Sequence, residues 1–236
     1  MPLSSAQLVS LACQIAKCPS YTAQAGQFLN MVLSDLCQDY DFAVARGTVN
    51  FNFNSAAGQN QGPYTLPLDW LRANRNDVFY TIQGVQYVMI AFALAEFDAC
   101  VEQPGLAAYP ENYAVDNSPL GAGAAPLMYV WPPAGGSYAV TARYFRQMPD
   151  IVTPETSAAV PWFPNQTYLK TRLAGEMMQL TNDDRAELFL KDAQAILDRY
   201  LKSKDDADVA KRVTLDRRFF GGNRWNLLPN TKTIGF

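Results

Sequence analysis

Apolar residues recur at helical spacing in two segments near the N-terminus. In the first segment Ser4 precedes Gln7 by three positions, which is the spacing of a capping box. Pro19 then interrupts the pattern, and Ser20 or Thr22 can cap a second helix. Two amphipathic helices joined by so short a turn predict an antiparallel hairpin. The apolar positions of the two segments are Leu8, Leu11, Ala12 and Ile15, then Ala25, Phe28, Leu29, Val32, Leu33 and Leu36.

A second pair of helical segments lies in the C-terminal half. Pro164 suits the start of the first of them. A capping-box-like break at residues 181–184 separates it from the next. The spacing therefore predicts a third helix and a longer fourth one. Their apolar positions are Leu169, Leu173, Met177 and Leu180, then Leu188, Phe189, Ala193, Ile196, Leu197, Tyr200 and Leu201.

Between these helical segments apolar and polar residues alternate, which is typical of half-buried strands. Gln83 and Gly84 are predicted to turn one strand back into the next. Residues 91–101 return to helical spacing and predict a short helix. Residues 103–125 are rich in Pro, Gly and Ala and predict a long loop that serves as a contact surface. The strand positions are Val49, Phe51 and Phe53; Val78, Tyr80 and Ile82; Val85, Tyr87 and Met89; Leu127, Tyr129 and Trp131; and Tyr138, Val140, Ala142 and Tyr144.

This order of segments predicts an α+β fold. Residues 1–41 and 160–208 are expected to pack as a four-helix bundle. Residues 42–159 are expected to form a central antiparallel β insertion in that bundle. Residues 209–236 contain Gly and Pro that prevent a continuous helix, so they are expected to form an extended tail.

The C-terminal tail differs from the rest of the chain in charge. It carries six basic residues against the single Asp216, a charge of +5, which leaves −8 on the other residues. Basic and aromatic side chains of this kind are typical anchors of protein interfaces, so the tail is predicted to dock on a partner. The alternative is a nucleic-acid-binding arm, although the acidic remainder would oppose attraction to DNA. The candidate contact residues are Arg217, Arg218, Phe219, Phe220, Arg224, Trp225 and Phe236.

The chain contains no histidine, which excludes Ser-His-Asp and Cys-His catalysis and the usual zinc sites with histidine ligands. No catalytic residue, cofactor or metal ligand is therefore assigned. A less favoured alternative is a carboxylate-dependent glycan hydrolase, since such enzymes need only two acids. Its candidate acids would be Glu96, Asp98, Glu102 and Glu111.

The four cysteines, Cys13, Cys18, Cys37 and Cys100, form no C-x-x-C pair and are expected to be buried and reduced. No targeting signal is recognisable, because no basic residue precedes the first apolar stretch. The longest apolar run, at residues 85–97, is too short to span a bilayer. Assembly in a cytoplasm without membrane contact is therefore expected.

Several short motifs follow one another in a recognisable order between residues 66 and 149. They are Leu66-Pro67-Leu68-Asp69-Trp70-Leu71-Arg72, Val78-Phe79-Tyr80 with Gly84, Glu96-Phe97-Asp98, Pro104-Gly105, Tyr109-Pro110-Glu111, Trp131-Pro132-Pro133 and Tyr144-Phe145-Arg146. In this order, and with the flanking helices, the chain resembles the head-to-tail adaptor proteins of short-tailed bacteriophages. That family is also called the tail accessory factor or head-completion group.

The resemblance implies a structural virion protein rather than an enzyme. Adaptors of this family form a homo-oligomeric ring of twelve copies beneath the portal protein. Their C-terminal tail extends along the portal, and the ring offers a platform to a nozzle or tail-tube protein. DNA passes through the central channel without sequence-specific binding. The expected location is the virion neck and tail, with assembly in the host cytoplasm, and the portal contacts would fall on the tail residues named above.

Overall fold

Five α-helices are present in residues 2–53, 61–101, 107–117 and 124–203, which are the residues that this computed structural model describes. Four of them lie where the helical spacing predicted them, and the fifth is the predicted short helix in the middle of the chain. Their bounds are α1 (Ser5–Ile15), α2 (Thr22–Asp39), α3 (Leu94–Val101), α4 (Gln166–Leu180) and α5 (Ala186–Ser203).

Local hydrogen bonds explain where the helices begin. The Ser4 hydroxyl accepts the Gln7 N–H at 3.3 Å, and Gln7 Oε1 accepts the Ser4 N–H at 2.9 Å. This is the predicted capping box, and it satisfies two N–H groups that have no partner inside the helix. At the start of α4 the Asn165 side chain accepts the Tyr168 N–H at 3.0 Å.

Eight strands form two sheets of four strands each in the described residues. The order is β1-β8-β3-β4 in the first sheet and β2-β7-β6-β5 in the second. Neighbouring strands are antiparallel, except that β5 is parallel to β6. The bounds are β1 (Arg46–Phe53), β2 (Tyr64–Thr65), β3 (Trp70–Ile82), β4 (Val85–Val88), β5 (Ile90–Ala91), β6 (Asn112–Asp116), β7 (Leu127–Trp131) and β8 (Tyr138–Arg146).

The predicted turn between β3 and β4 is confirmed. Gln83 and Gly84 both have positive φ, 49° and 82°. Two such residues make the tight turn whose twist matches antiparallel strands. The turn sets the register, so that Ile82 lies opposite Val85 and Tyr80 opposite Tyr87.

Two sequence predictions are wrong. The predicted loop at 103–125 contains β6, which pairs with β7 over five positions. The alternation of apolar and polar residues in β6 is short and lies between a proline and a glycine-rich stretch, so it is too weak a signal to identify a strand. Pairing with the neighbouring strands stabilises β6. At the start of α2, Tyr21 occupies the capping position without a side-chain hydrogen bond, rather than Ser20 or Thr22. The Tyr21 carbonyl there accepts the first helical N–H, from Ala25, at 2.9 Å.

Helices α1, α2, α4 and α5 contribute to one hydrophobic core, and we call these four helices with their shared core the helical region. Two hydrogen bonds connect the segment before α1 to the first residue of α4. Leu3 N donates to Gln166 Oε1 at 2.9 Å, and Gln166 Nε2 donates back to the Leu3 carbonyl at 3.2 Å. Gly175 allows α5 to approach α4, because a Cβ there would lie 2.8 Å from Leu190 Cδ2. The fully buried large side chains of this core are Leu8, Leu29, Phe163, Leu169, Leu173, Met177, Met178 and Leu197.

The two sheets enclose a second core, and we call residues 46–146 the β region. The buried side chains come from both sheets, with Phe53, Tyr80 and Val140 on the first sheet and Met128 and Val130 on the second. The predicted positions of β1, β3 and β8 supply much of this core. On β7 the opposite face is buried, so Met128 and Val130 lie in the core rather than the predicted Leu127, Tyr129 and Trp131. The α+β class expected from the sequence is therefore correct.

Three of the four cysteines, Cys13, Cys18 and Cys37, are free and buried as predicted, while the side chain of Cys100 lies outside the described set. Burial raises the pKa of Cys13 to about 11, with a contribution from the neighbouring Cys18 thiol. Burial also raises the pKa of Cys37, and thiols with raised pKa values are poor nucleophiles. All three cysteines are buried, so they act as core side chains. No helix in the described residues has the length and apolar character needed to cross a membrane.

Candidate assembly surfaces

Arg72, near the start of β3, connects the β region to the end of α2. Its Nη1 donates to the Cys37 carbonyl at 2.9 Å and its Nη2 to the Tyr40 carbonyl at 3.0 Å. Its Nε donates to Asp41 Oδ1 at 2.9 Å, and Nη2 forms an ion pair with the same oxygen. The last carbonyls of a helix lack partners and carry partial negative charge, so a guanidinium is well suited to this position.

Aromatic rings hold the same junction on the sheet side. The Arg72 guanidinium lies 5.2 Å from the centre of the Phe145 ring, which is within range of a cation–π interaction. Trp70 stacks on Tyr144 with ring centres 4.7 Å apart. The Tyr144 hydroxyl donates to Asp69 Oδ1 at 2.9 Å. Burial and the Asp69 carboxylate together raise the pKa of Tyr144 to about 12.

Two further bridges fix the chain after β8 against α2. Asn30 Nδ2 donates to the Ile151 carbonyl and Asn30 Oδ1 accepts the Ile151 N–H, both at 3.1 Å. Gln147 Nε2 donates to Ser34 Oγ at 3.0 Å. We call these contacts, together with those of Arg72, Trp70 and Tyr144, the junction. The segments 66–72 and 144–146, which carried much of the family resemblance, thus meet here and orient the β region on the helical region.

A cluster of four tyrosines lies at the β3–β4 side of the β region. Tyr80 stacks on Tyr87 with ring centres 5.4 Å apart, and Tyr87 stacks on Tyr109 at 6.1 Å. Tyr138 contacts both Tyr80 and Tyr109, at 5.3 and 5.8 Å. Tyr80 is buried, and burial is the main cause that raises its pKa to about 12. Tyr87 and Tyr109 are exposed, so the cluster presents aromatic surface to solvent.

Exposed apolar side chains follow the same strands. Val85, Val88 and Ile90 are 56%, 51% and 56% exposed, and Leu94 at the start of α3 is also exposed. No charged residue occurs anywhere between positions 78 and 95. Exposed apolar side chains that are concentrated in one short segment are a feature of interaction surfaces in folded proteins. The sequence predicted a strand at Val85 and a short helix at Leu94 but no contact surface here, although the missing charge was visible in the sequence.

The acids considered for glycan hydrolysis lie on different elements. Glu96 Oε2 accepts the Ala93 N–H at 3.1 Å, which is the role of a helix-capping carboxylate at the start of α3. Asp98 lines an open pocket with Asp116, whereas Glu111 precedes β6 and is not among the residues lining that pocket. Glu102 lies outside the described residues. Among the residues that are described, no cluster of three or more acids or cysteines could hold a metal ion.

The residues predicted to contact the portal all lie outside the described ranges. They are Arg217, Arg218, Phe219, Phe220, Arg224, Trp225 and Phe236. Within the described part of the chain, the exposed β4–β5 surface and the tyrosine cluster are therefore the candidate assembly surfaces. The junction is the feature that positions both of them.

The family comparison agrees with the resemblance noted in the sequence. The family model described as SU10 adaptor protein matches residues 4–217. The chain belongs to the SU10 adaptor protein family, which is a family of structural head-to-tail adaptors of short-tailed phages. Its family thus places it among the structural neck and tail proteins of bacteriophages. A search of the curated proteins finds no match.

Proposed function

We propose that this protein forms a ring that connects the portal to the tail machinery and extends the DNA channel. The observation that carries the proposal is the family match, which runs from residue 4 to residue 217 and so includes both helical segments and the whole β region. In this role the protein contributes surfaces rather than chemistry. The proposed partners are the portal protein on one side and a nozzle or tail-tube protein on the other.

The division of the chain suggests a division of tasks. Residues 1–41 and 160–208 would pack as a four-helix bundle, and the core shared by α1, α2, α4 and α5 supports this arrangement. Residues 42–159 would act as a β-rich inserted module, held in a fixed orientation by the junction. A rigid connection of this kind suits a ring component, because each copy must present the same surfaces at the same angle.

The tail, residues 209–236, would dock on the portal. Its charge of +5 and its four aromatic side chains provide both long-range attraction and buried anchors. The first experiment is deletion of residues 216–236, followed by measurement of binding to purified portal particles. The deletion is expected to abolish stable portal binding while the far-ultraviolet circular dichroism of the remaining chain stays close to that of the full-length protein.

Two matched triple variants separate the aromatic from the electrostatic contribution. Phe219, Phe220 and Trp225 changed to Ala retain the charge of the tail, whereas Arg217, Arg218 and Arg224 changed to Gln retain its rings. We expect the aromatic variant to dissociate faster from the portal and the neutral variant to associate more slowly, with less dependence on salt. Portal binding that is unchanged in the deletion variant would contradict the proposed role of the tail.

The second candidate function is nucleic-acid binding by the same tail, which its interleaved basic and aromatic residues favour. DNA binding by the full chain that weakens steeply with salt and is lost on tail deletion would support it. In the adaptor proposal, DNA passes through the channel without sequence-specific binding, so any affinity for duplex DNA should be weak and independent of sequence.

Electron microscopy of the portal with and without the protein tests the remaining parts of the proposal. Added density beneath the portal should form a closed ring, and twelve copies are expected from the family resemblance. The same ring should be present in the neck of the virion, after assembly in the host cytoplasm. A single copy, or an open chain of copies on the portal, would contradict ring formation.

A further inference from the structure

The first sheet has two free edges in the described residues, at β1 and at β4. In the order β1-β8-β3-β4 each of these strands has a paired neighbour on one side only. Because all three pairings are antiparallel, strand direction alternates across the sheet, and β1 and β4 run in opposite directions. A β1 strand from a second copy could therefore lie beside β4 as an antiparallel neighbour and continue the alternation.

Apart from the four-residue length of β4, neither edge carries the features that usually prevent such pairing. Edge strands of soluble proteins are commonly protected by lysine, proline or inward-pointing charges. The four residues of β4 are Val85, Gln86, Tyr87 and Val88, all of them exposed and none of them charged. Beyond Arg46 at its start, β1 is also free of charge, and no charged residue occurs between positions 47 and 68. An edge strand that is covered in an assembly needs no such protection, so two edges without protective side chains are expected in a sheet whose edges are both covered.

The apolar faces of the two edges match. On β1, Val49 and Phe51 pack towards the core of the β region and are only partly buried. On β4, Val85 and Tyr87 lie opposite Ile82 and Tyr80, so they lie on the same face of the sheet. A β1 strand beside β4 would cover the exposed Tyr87 ring with an aromatic and a β-branched side chain, a favourable cross-strand combination.

The opposite faces of both strands are exposed, but they match less closely, because Val88 is the one apolar residue on an otherwise polar face. On β1 that face carries Thr48, Asn50 and Asn52, which are exposed and polar. On β4 it carries Gln86 and Val88, which lie opposite Thr81 and Phe79. Side chains alternate with period two, so a shift of one residue would place apolar side chains against polar ones. The pattern on both strands therefore allows only registers that keep the two faces separate.

We propose that β4 of one copy pairs with β1 of the next copy, so that the first sheet continues from copy to copy. The occupant of the β4 edge is thus a second copy of this chain. Pairing β4 with β1 uses two different surfaces of each copy and generates a ring or an open chain, whereas pairing β4 with β4 would stop at a dimer. The inference rests on the proposed ring and names the strands that close it.

The hairpin geometry identifies the backbone groups that would be used. In a hairpin closed by a two-residue turn, the pair next to the turn exchanges both hydrogen bonds, and the following pair does not. Val85 therefore bonds to Ile82, whereas the N–H groups of Gln86 and Val88 point away from β3 towards the free edge. These two positions would donate to the β1 strand of the neighbouring copy.

Cysteine cross-linking tests the pairing directly in full-length protein bound to portal particles. Val88→Cys is combined in the same chain with Thr48→Cys, Asn50→Cys or Asn52→Cys, which scans the possible registers on one face. At least one combination should give a ladder of covalent trimers and larger species under oxidising conditions, because each copy is linked to two neighbours. The unmodified protein serves as a control for the native cysteines. Variants that carry only one of the introduced cysteines should give no more covalent dimer than the unmodified protein does.

A blocking variant provides an independent readout. Val88→Lys places a charge at the free edge, and Leu188→Lys, on the exposed surface of α5, makes the same kind of change away from it. We expect Val88→Lys to reduce the yield of portal-bound rings at least tenfold while Leu188→Lys leaves it unchanged. Thermal unfolding of both monomers should match the unmodified protein, since both side chains are exposed.

The possible failures are distinguishable. If the unmodified protein forms rings on the portal but no cross-linked ladder is seen and Val88→Lys still assembles, strand pairing between copies is wrong and the adaptor proposal stands. If Val88→Cys alone gives covalent dimers in high yield, β4 pairs with β4, and the proposed pairing is also wrong. If the unmodified protein forms no ring on the portal, the proposed function itself fails and the inference fails with it.

Discussion

The helical region and the β region differ in how completely they cover their own apolar surface. In the helical region the exposed large apolar side chains, such as Met31 and Leu188, lie on different elements, which is ordinary for a folded protein. In the β region, Val85, Tyr87, Val88 and Ile90 are all exposed within six consecutive residues. The helical region thus covers its apolar surface, whereas the β region leaves apolar side chains exposed on both faces of its β4 edge, where a partner could cover them.

The largest expected effects come from substitutions that remove a buried side chain from one of the two cores. Leu173→Ala in the helical region and Met128→Ala in the β region remove fully buried side chains. Each should lower the free energy of unfolding by about 2–5 kcal/mol. Amide hydrogen exchange should show that each variant loses protection mainly in its own region. An equal loss of protection in both regions after either change would mean that the two cores open only as one unit.

Removal of the Arg72 side chain should disrupt the connection between the regions. Its side chain is 12% exposed, and Arg72→Ala would leave Asp41 and two helix-end carbonyls without this partner. The free energy of unfolding should fall by roughly 2–4 kcal/mol, because the Asp41 carboxylate and the two carbonyls would lose a charged hydrogen-bond donor. Arg143→Ala removes an ion pair that is far more exposed, with Asp77 at 3.5 Å, and should cost only about 0–1 kcal/mol. Chemical denaturation of both variants measures the difference, and equal losses would contradict the importance of the junction.

Alkaline pH should destabilise the β region before the helical region. Burial raises the pKa of three tyrosines in the β region to about 12, namely Tyr80, Tyr113 and Tyr144, and it does the same for Tyr168 in the helical region. Below the unfolded pKa of about 10 these tyrosines are neutral in both states, and their contribution to stability is fully present. As pH rises from about 10 to about 12 the unfolded chain loses these protons while the folded protein retains them, so stability falls.

The melting temperature and the ultraviolet absorbance of tyrosinate, followed over the same pH range, measure this effect. Loss of near-ultraviolet circular dichroism from the β region should precede loss of the helical far-ultraviolet signal. Tyr144→Phe should reduce the alkaline dependence of the melting temperature. Alkaline unfolding in which the helical signal disappears first would contradict this order.

The smallest expected effect concerns the first helix of the helical region. Ser4→Ala removes the hydroxyl that accepts the Gln7 N–H and should cost about 1 kcal/mol. Ser10→Ala, on the exposed side of the same helix, is a matched control and should be neutral or slightly stabilising. Thermal unfolding compares the two variants. A similar loss in both would indicate that the capping box contributes nothing to stability.

Periodic segments of the sequence were sufficient to predict most elements but not their mutual contacts. The four helices of the helical region and strands β1, β3, β7 and β8 follow from spacing, because each buries one face over several turns or residues. Strand β4 buries no face, and it was predicted from the Gln83-Gly84 turn that precedes it. Strands β2 and β6 have only two and five residues, and they depend on pairing with β7. Local sequence contains too little of that information to identify them.

The junction could not be predicted for a related reason. Arg72 reaches carbonyls more than thirty residues away, and nothing in its neighbourhood along the chain indicates which helix end it will meet. The order of the motifs around it supported the family resemblance without revealing that Trp70 and Tyr144 stack. The exposed β4 edge was assigned to a strand correctly, but its exposure depends on the order of strands in the sheet, which periodicity does not determine.

The hydrogen bonds between Leu3 and Gln166 have a consequence for the order in which a ribosome can complete this protein. Those partners are 163 positions apart, and the core of the helical region also needs Leu197 of α5. Every strand of the β region, in contrast, has been synthesised by Arg146. During translation α1 and α2 must therefore remain without their final partners while the sheets form. The region that covers itself most completely in the finished protein is thus the last to close, and its first two helices are the part of the nascent chain most in need of protection from aggregation.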